Sequence, residues 1–587
     1  MIGKIKSLFA DSITIELTVD ITTLGNILSL HVIIEDQQRK LVGEVTEVSK
    51  TEAKVQLIGE ITNNVFHAGA INKPTFNSVV RKINEQELKL IISNVDNSGR
   101  NIHVGSMLLY NNYPVDVSVN DFFSNHFSIF GNTGSGKSSS VARLIQNIHA
   151  SDVVPYNSNI FIFDAYGEYE QAFTNMQTKN PVNFKALTTN VKSTDTPIIK
   201  IPLWLLGVDD LAILLSATEP SQLAIIEKAL KLVNVFAKKE EAAEHHKNDI
   251  IARALFDILS SGRAPTQIRD QVFAVLTLYN TEELSLESKV VQPGYVRTLR
   301  QCFNIDQSGK INEMQLVSEF LQTFVDQTLE LSLPDGTYEY SLRDLEIAFE
   351  FALISEGILK SDKVFDYTNI LKVRLHSLVN GDYSKLFDRT EFISRDTFLK
   401  EILFCDNGKK AQIVNFNISY VDDRFAKSII KILSKMLFDF TTMLKNRASF
   451  PIHIIVEEAH RYVQNDDDAK LLGYNIFDRI AKEGRKYGVL LGLISQRPSE
   501  LSETALSQCT NFLIFRMLHP KDLAYISEMV PNMTLELITK IKTLTPGICV
   551  AFGNAFKIPV IVKFDMPNPH PRSNNCDINS TWYPPTN

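Results

Sequence analysis

Ile129-Phe130-Gly131-Asn132-Thr133-Gly134-Ser135-Gly136-Lys137-Ser138-Ser139 is the stretch on which the reading of this chain turns. It has the G-x-x-x-x-G-K-S spacing of a phosphate-binding P-loop. Three glycines let the backbone take conformations closed to residues with a Cβ, so successive N–H groups can converge on one anion. The apolar run Phe127 to Phe130 precedes the loop, and Val141, Leu144, Ile145 and Ile148 follow it at helical spacing. The loop is therefore expected between a buried strand and a helix whose positive N-terminus faces the phosphates. Gly131, Asn132, Thr133, Gly134, Ser135, Gly136, Lys137, Ser138 and Ser139 are the candidate nucleotide contacts. Lys137 would reach the β- and γ-phosphates, and the Ser138 hydroxyl would join the Mg²⁺ shell.

Working outward, two further strands end in acids. Ile160-Phe161-Ile162-Phe163-Asp164 is expected beside the P-loop strand, which would put the Asp164 carboxylate at the nucleotide edge of a parallel sheet. Ile452-His453-Ile454-Ile455-Val456-Glu457-Glu458-Ala459-His460-Arg461 is a buried-type strand closing on two glutamates. An NTPase needs one acid for the Mg²⁺ shell and a second to orient and deprotonate water. We assign Glu457 to the metal, through water, and Glu458 to the attacking water. The helix end Ile480 to Gly488 carries Lys482, Arg485 and Lys486, and Arg485 is a candidate for steadying transition-state charge, in cis or across a subunit boundary. The next apolar strand, Val489 to Ile494, is tipped by Ser495-Gln496-Arg497-Pro498, and Gln496 is placed to sense the γ-phosphate. Lys557, at the start of the last strand segment, completes the candidate nucleotide contacts.

The rest of the chain divides by pattern. Residues 1 to about 62 alternate with period 2 over short segments, as in Ala53-Lys54-Val55-Gln56-Leu57, which suggests a small closed barrel. We place a barrel and connector at 1–115, the first part of the ATPase core at 116–204, and its second part at 401–545. Between them, 205–400 shows helical apolar spacing and reads as a mostly helical insertion. A C-terminal hairpin and tail occupy 546–587. Asn304 to Ile311 has part of a calcium-loop pattern, but position twelve is Gln315 where a bidentate Glu belongs, so a turn is expected.

Bulk composition excludes several classes. A net charge of −8 argues against a basic coat that wraps nucleic acid, though not against a local basic channel. Cys302, Cys405, Cys509, Cys549 and Cys576 are scattered and lack CxxC spacing, against a disulfide framework or zinc site and for a reducing cytoplasm. No run approaches the ~18 apolar residues of a membrane span, so no membrane partner is expected.

Taken in order, the small barrel, GNTGSGKS, DAYGEY, IIVEEAHR, EGRKYG and SQRPSE resemble the HerA-type ATPases of the HerA–FtsK group of P-loop motors. The resemblance implies a HAS-barrel, a RecA-like α/β core with a helical domain, a C-terminal brace, and a homo-hexameric ring that uses ATP and Mg²⁺ to move double-stranded DNA. It also implies an effector partner: a NurA-type nuclease, or in phage defence a sirtuin-like NADase or another nuclease. Two positions depart from the family. Its usual magnesium aspartate is Glu457 here, and an arginine commonly found just before the P-loop strand is Asn125.

Overall fold

The computed structural model describes the chain except residues 21, 22, 24, 37, 38, 93, 96, 97, 151–154, 177, 179, 180, 239, 308, 330–332, 334–337, 357–361, 530–534, 573–577 and 583–587. Seven strands come first: β1 (Gly3–Leu8), β2 (Ser12–Leu17), β3 (His31–Asp36), β4 (Arg39–Val48), β5 (Glu52–Thr62), β6 (Val65–Ala68) and β7 (Val79–Lys82). They lie in the order β2-β1-β7-β3-β4-β5-β6, and β2 pairs again with β5. Six strands thus close into an antiparallel barrel, with β6 attached outside on β5. In β5 the alternation is complete: Ala53, Val55 and Leu57 point inward while Lys54 and Gln56 stay part-exposed. Closure removes the open edges that such short strands would otherwise present.

The ATPase sheet takes strands from both ends of the chain. β8 (Asn101–Met107), β9 (Tyr113–Ser118), β10 (His126–Phe130), β11 (Ile160–Asp164) and β12 (Phe184–Thr188) precede the insertion. The insertion is mainly helical, including Pro220–Lys238, Glu240–Leu259, Leu342–Glu356 and Asp362–Asn380, with one antiparallel hairpin, β13 (Lys289–Gln292) and β14 (Tyr295–Thr298). β15 (Ile413–Asn417), β16 (Ile452–Val456), β17 (Val489–Ser495), β18 (Cys509–Ile514), β19 (Ile548–Gly553) and β20 (Val560–Lys563) follow. The order is β12-β15-β11-β16-β17-β10-β18-β19-β20-β8-β9. From β12 to β18 every neighbour is parallel; from β18 onward the pairing is antiparallel.

β10, β11 and β17 are buried at every position, as parallel strands covered on both faces must be. Helix α1 (Lys137–Ala150) packs Val141, Leu144 and Ile145 with Ile129, Ile162, Ile455 and Ile494 on one face; helix α2 (Glu170–Thr174) joins it there. Helix α3 (Asp423–Met443) and helix α4 (Ile476–Tyr487) pack Ile429, Leu433 and Ile480 with Phe130, Phe163, Ile454 and Leu491 on the other.

Two expectations change here. The boundaries at 115/116 and 545/546 fall inside the ATPase sheet, because β8 and β9 pair there and the C-terminal hairpin β19–β20 bridges β18 to β8. β11 is not beside the P-loop strand β10; β16 and β17 lie between them. At Asn304 to Ile311, of which Ser308 lies outside the described residues, the Asp306 carboxylate accepts from the Lys310 N–H, which makes a local turn. Among the described residues no helix is long and apolar enough to cross a membrane.

Candidate active site

Parallel register decides what meets the P-loop. Phe130 stands opposite Ser495 on β17 and Ile514 on β18, so the loops after three strands open at one edge. Gly131 N–H donates to the Ser495 carbonyl at 3.3 Å, Asn132 N–H to Arg516 O at 2.9 Å, and Gly547 N–H to Ser135 O at 2.9 Å. Gly134 (φ +72°) and Gly136 (φ +105°) sit in the left-handed region, and a Cβ on Gly136 would lie 2.9 Å from Gly547 N. The Lys137 ammonium is drawn back into the loop, donating to Gly131 O (2.8 Å) and Asn132 O (3.2 Å). Burial lowers its pKa against the pull of Glu458, Glu457 and Glu168.

The acid pair arrives from β16. Glu457 is buried; its Oε1 accepts from Ser138 Oγ at 3.2 Å and its Oε2 from Ala165 N–H at 3.2 Å. Burial first, then Asp164, Glu168 and Glu458, push its pKa well above the carboxylate range. Glu458 is a non-glycine residue at φ +48°, a strained conformation that turns its side chain away from its neighbour's. Its Oε1 accepts from Gln496 Nε2 at 2.9 Å, and Gln496 Oε1 accepts from Thr133 Oγ1 at 2.7 Å. A hydrogen-bonded line therefore runs from the P-loop through the strand tip to the second glutamate. Glu458 Oε2 is buried without a hydrogen bond, 3.3 Å from His460 Nδ1, and the Ser135 hydroxyl is likewise buried and unpaired.

Three further predicted residues, Asp164, Lys557 and Arg485, have partners or positions of their own. Asp164 accepts from the N–H groups of Tyr166 (3.3 Å), Gly167 (2.7 Å), Glu168 (3.0 Å) and Tyr169 (3.0 Å), and from Asn415 Nδ2 (3.1 Å). Its carboxylate shapes the following turn and also acts on Glu457, whose pKa it helps to raise. Lys557 donates to Leu90 O at 3.0 Å and lines a cleft of about 520 Å³ with His31, Glu44 and Lys540, on the barrel side of the sheet. Arg485 is exposed on the last turn of α4, before β17 begins. The seven residues of β17 then carry the chain roughly 20 Å to Gln496, so Arg485 stands at the far end of that strand from Gln496. Asn125 is buried and donates to Asp121 O (3.0 Å) and Ser124 Oγ (3.3 Å), within its own chain.

The sequence reading missed Glu168 and His460. Both lie in stretches it quoted, DAYGEY and IIVEEAHR, but nothing in their spacing distinguishes an inward-facing loop acid or imidazole from a solvated one. Burial raises the Glu168 pKa, and its charge acts on Lys137 and Glu457. His460 Nδ1 lies 3.2 Å from Ser495 Oγ as well as beside Glu458.

Glycine-shaped backbone, a buried lysine bonded only to loop carbonyls, an unpaired serine hydroxyl and an excess of buried acids fit a polyphosphate carrying a divalent cation. Gly131 through Ser139 would hold the phosphates, and Ser138 with Glu457 the cation. Such a site, at the P-loop edge of a RecA-like parallel sheet, belongs to a hydrolysing P-loop ATPase.

Residues 102–320 match the family model described as helicase HerA, central domain. The DNA double-strand break repair helicase HerA of Pyrococcus furiosus is 25% identical over 542 residues, 92% of this chain and 81% of that one. A probable helicase of the same description from Methanocaldococcus jannaschii is 24% identical over 532 residues, 89% of this chain and 86% of that one. The bacterial conjugative coupling protein TrwB aligns over 81% of this chain and 92% of its own, with 12% identity and a TM-score of 0.42. Over most of its length the chain is thus similar to HerA helicases, and its site is that of a P-loop ATPase.

Proposed function

We propose that this ATPase is an ATP-driven translocase of double-stranded DNA, working as a homo-hexameric ring in the cytoplasm with Mg²⁺ and an effector protein. The observation that carries the motor reading is the Thr133–Gln496–Glu458 line, which ties the state of the P-loop to the acid that activates water. Likeness to helicases described by double-strand break repair supports DNA as the track. By the same resemblance the effector is a NurA-type nuclease, a sirtuin-like NADase or another nuclease, in end processing or phage defence.

Ser138 and Glu457 would hold the Mg²⁺, which would supply Lewis-acid charge to the phosphoryl oxygens. Lys137 supplies positive charge at the loop, Ser138 and Glu457 orient the cation's surroundings, and Glu458 takes a proton from water. Gln496 fixes the Glu458 carboxylate through one oxygen and leaves the other open. His460 Nδ1 lies 3.3 Å from that second oxygen. Arg485 acts on a neighbouring subunit's site. Lys137→Ala should remove nucleotide binding, and Glu458→Gln should keep binding while DNA-stimulated ATP turnover falls by about 10²-fold or more. Unchanged turnover in both variants would sink the reading.

A second reading has one observation of its own. The residue standing where the family has an arginine, Asn125, is buried against its own chain and cannot reach a neighbour. A ring with weakened hydrolysis in trans would serve as an ATP-gated scaffold that switches its effector without processive movement. Effector activation in the absence of any DNA strand displacement at saturating ATP would select it.

A further inference from the structure

The barrel and the ATPase sheet leave a cleft of about 520 Å³ between them, within the size range of a small-molecule site. Strands β3 to β6 of the barrel form one wall. Strand β8, the hairpin β19–β20 and helix Leu535–Thr543 form the other. Leu57 and Ile58 from the barrel face Met107, Leu537 and Ile561 from the ATPase side, so most of the lining is apolar.

The polar groups in this lining are few and unevenly matched. Lys557 is half-buried, and its ammonium, which has three protons to give, donates to Leu90 O at 3.0 Å. Among the described residues no carboxylate pairs with it, and burial lowers its pKa. Lys540, by contrast, reaches Glu44 of β4 at 3.2 Å, and those two charges cancel. His31 is only 6% exposed. Its backbone N–H donates to Tyr110 Oη at 2.8 Å, and its Nδ1 lies 2.7 Å from the same oxygen. The phenol oxygen accepts the backbone proton and gives its own to Nδ1, which puts the ring hydrogen on Nε2. That Nε2–H is a donor with no partner among the described residues, in a buried side chain that lines the cleft. Burial and the nearby Lys540 lower the His31 pKa to about 4, so the ring is neutral at pH 7.

We propose that this cleft binds a small organic monoanion: an apolar body carrying one carboxylate or similar group. Lys557 takes the anionic group, His31 Nε2–H offers the ligand a neutral hydrogen bond, and Leu57, Met107 and Ile561 cover the apolar body. Charge selects the class. With Lys540 matched by Glu44 and the imidazole neutral, these groups together carry the single positive charge of Lys557. One negative group satisfies it. The several charges of a nucleoside triphosphate would leave most of themselves unpaired against apolar walls, which is costly. The cleft is therefore a second site whose ligand differs in kind from that of the P-loop.

The test is a fluorescence titration of the full chain with 8-anilinonaphthalene-1-sulfonate, itself an apolar monoanion, with the melting temperature recorded for each variant. Wild type should bind about one probe per chain, undiminished by saturating ATP and Mg²⁺. Octanoate should displace the probe about tenfold more readily than 1-octanol, which has the same tail and no charge, because a hydrogen bond to a charged group is lost with the alcohol. Lys557→Met keeps the stem and should weaken probe binding about tenfold for the same reason. Lys557→Arg keeps the charge and should recover most of that loss. Lys563→Met, exposed on β20 and outside the cleft, should bind as wild type does. Uptake that does not saturate, displacement of the probe by ATP, equal displacement by octanol and octanoate, or wild-type affinity in Lys557→Met would each overturn the proposal. The comparison of octanoate with octanol needs only the wild type, so it decides even if Lys557→Met melts early.

Discussion

Lys431→Met tests what neutralises the acidic run Asp466-Asp467-Asp468 in the segment after β16. Lys431 lies on α3 with its side chain only 2% exposed, paired to Asp466 and, at 2.5 Å, to Asp468. Lys427 adds a contact to Asp466 at 3.2 Å, and Asn475 Nδ2 donates to Asp466 Oδ1 at 2.9 Å. Methionine keeps the stem's volume and removes the charge. Breaking a buried ion pair from one side costs about 3–5 kcal/mol. Here Asp466 keeps Lys427 and Asn475, and Asp468 is part-exposed and can hydrate, so the lower end, about 3 kcal/mol, is expected. The core holding Lys431 joins the ATPase sheet and the insertion, so at about 1 °C per kcal/mol for a unit of that size the melting shift is roughly 3 °C, read by circular dichroism. Burial works to raise the Asp466 pKa, but Lys431 and Lys427 outweigh it and hold the group below its ordinary value. A depressed carboxylate contributes its stability above the unfolded pKa and loses it as pH falls through the folded one. The gap between wild type and variant should therefore be full at about pH 7 and close below about pH 4. Adding Asp466→Asn to the lysine variant should restore part of the loss. A shift under about 2 °C at pH 7 would refute the clasp.

Other expectations are narrower. Gln496→Ala should lower kcat by about 10²-fold with little change in KM, because it frees Glu458 without touching the phosphate cradle; steady-state kinetics decide, and an effect confined to KM would contradict it. Gly136→Ala should abolish nucleotide binding and lower the melting temperature, since alanine at φ +105° is strained and its Cβ meets Gly547 N at 2.9 Å; binding at wild-type affinity would be the contrary result. Lys557→Met should leave nucleotide affinity within about twofold, because its ammonium is tied to Leu90 O on the barrel side; a tenfold loss in titration would return it to the nucleotide site.

Legibility of the sequence followed the range of the interactions. The P-loop, the acid pair and Gln496 were readable because each sits within a few residues of a buried strand's end, where periodicity and motif coincide. Their meeting, Glu457 with Ser138 and Gln496 with Glu458, follows once β16, β17 and β10 are neighbours. Strand order itself is non-local and left no trace in the sequence, so β11 was expected beside β10 where β16 and β17 in fact intervene. Lys557 failed for the same reason: a lysine in a hairpin turn says nothing about which edge of a sheet the turn reaches. In the barrel, β5 was plain from its eleven alternating residues, whereas β7 is four residues long and carries two cations. Asp466 and Asp468 carry no mark of their pairing in the sequence, because the lysines that neutralise them, at 427 and 431, lie in the preceding helix, with β16 between.

The account's central claim is that Glu458 couples ATP hydrolysis to movement along DNA. Its most direct test is the rate at which the purified protein displaces a third strand from a duplex in the presence of ATP and Mg²⁺. Wild type should displace it in an ATP-dependent manner, and Glu458→Gln should be slower by about 10²-fold or more while still binding nucleotide. Equal displacement by the two proteins, or ATP turnover by wild type with no displacement at all, would contradict it.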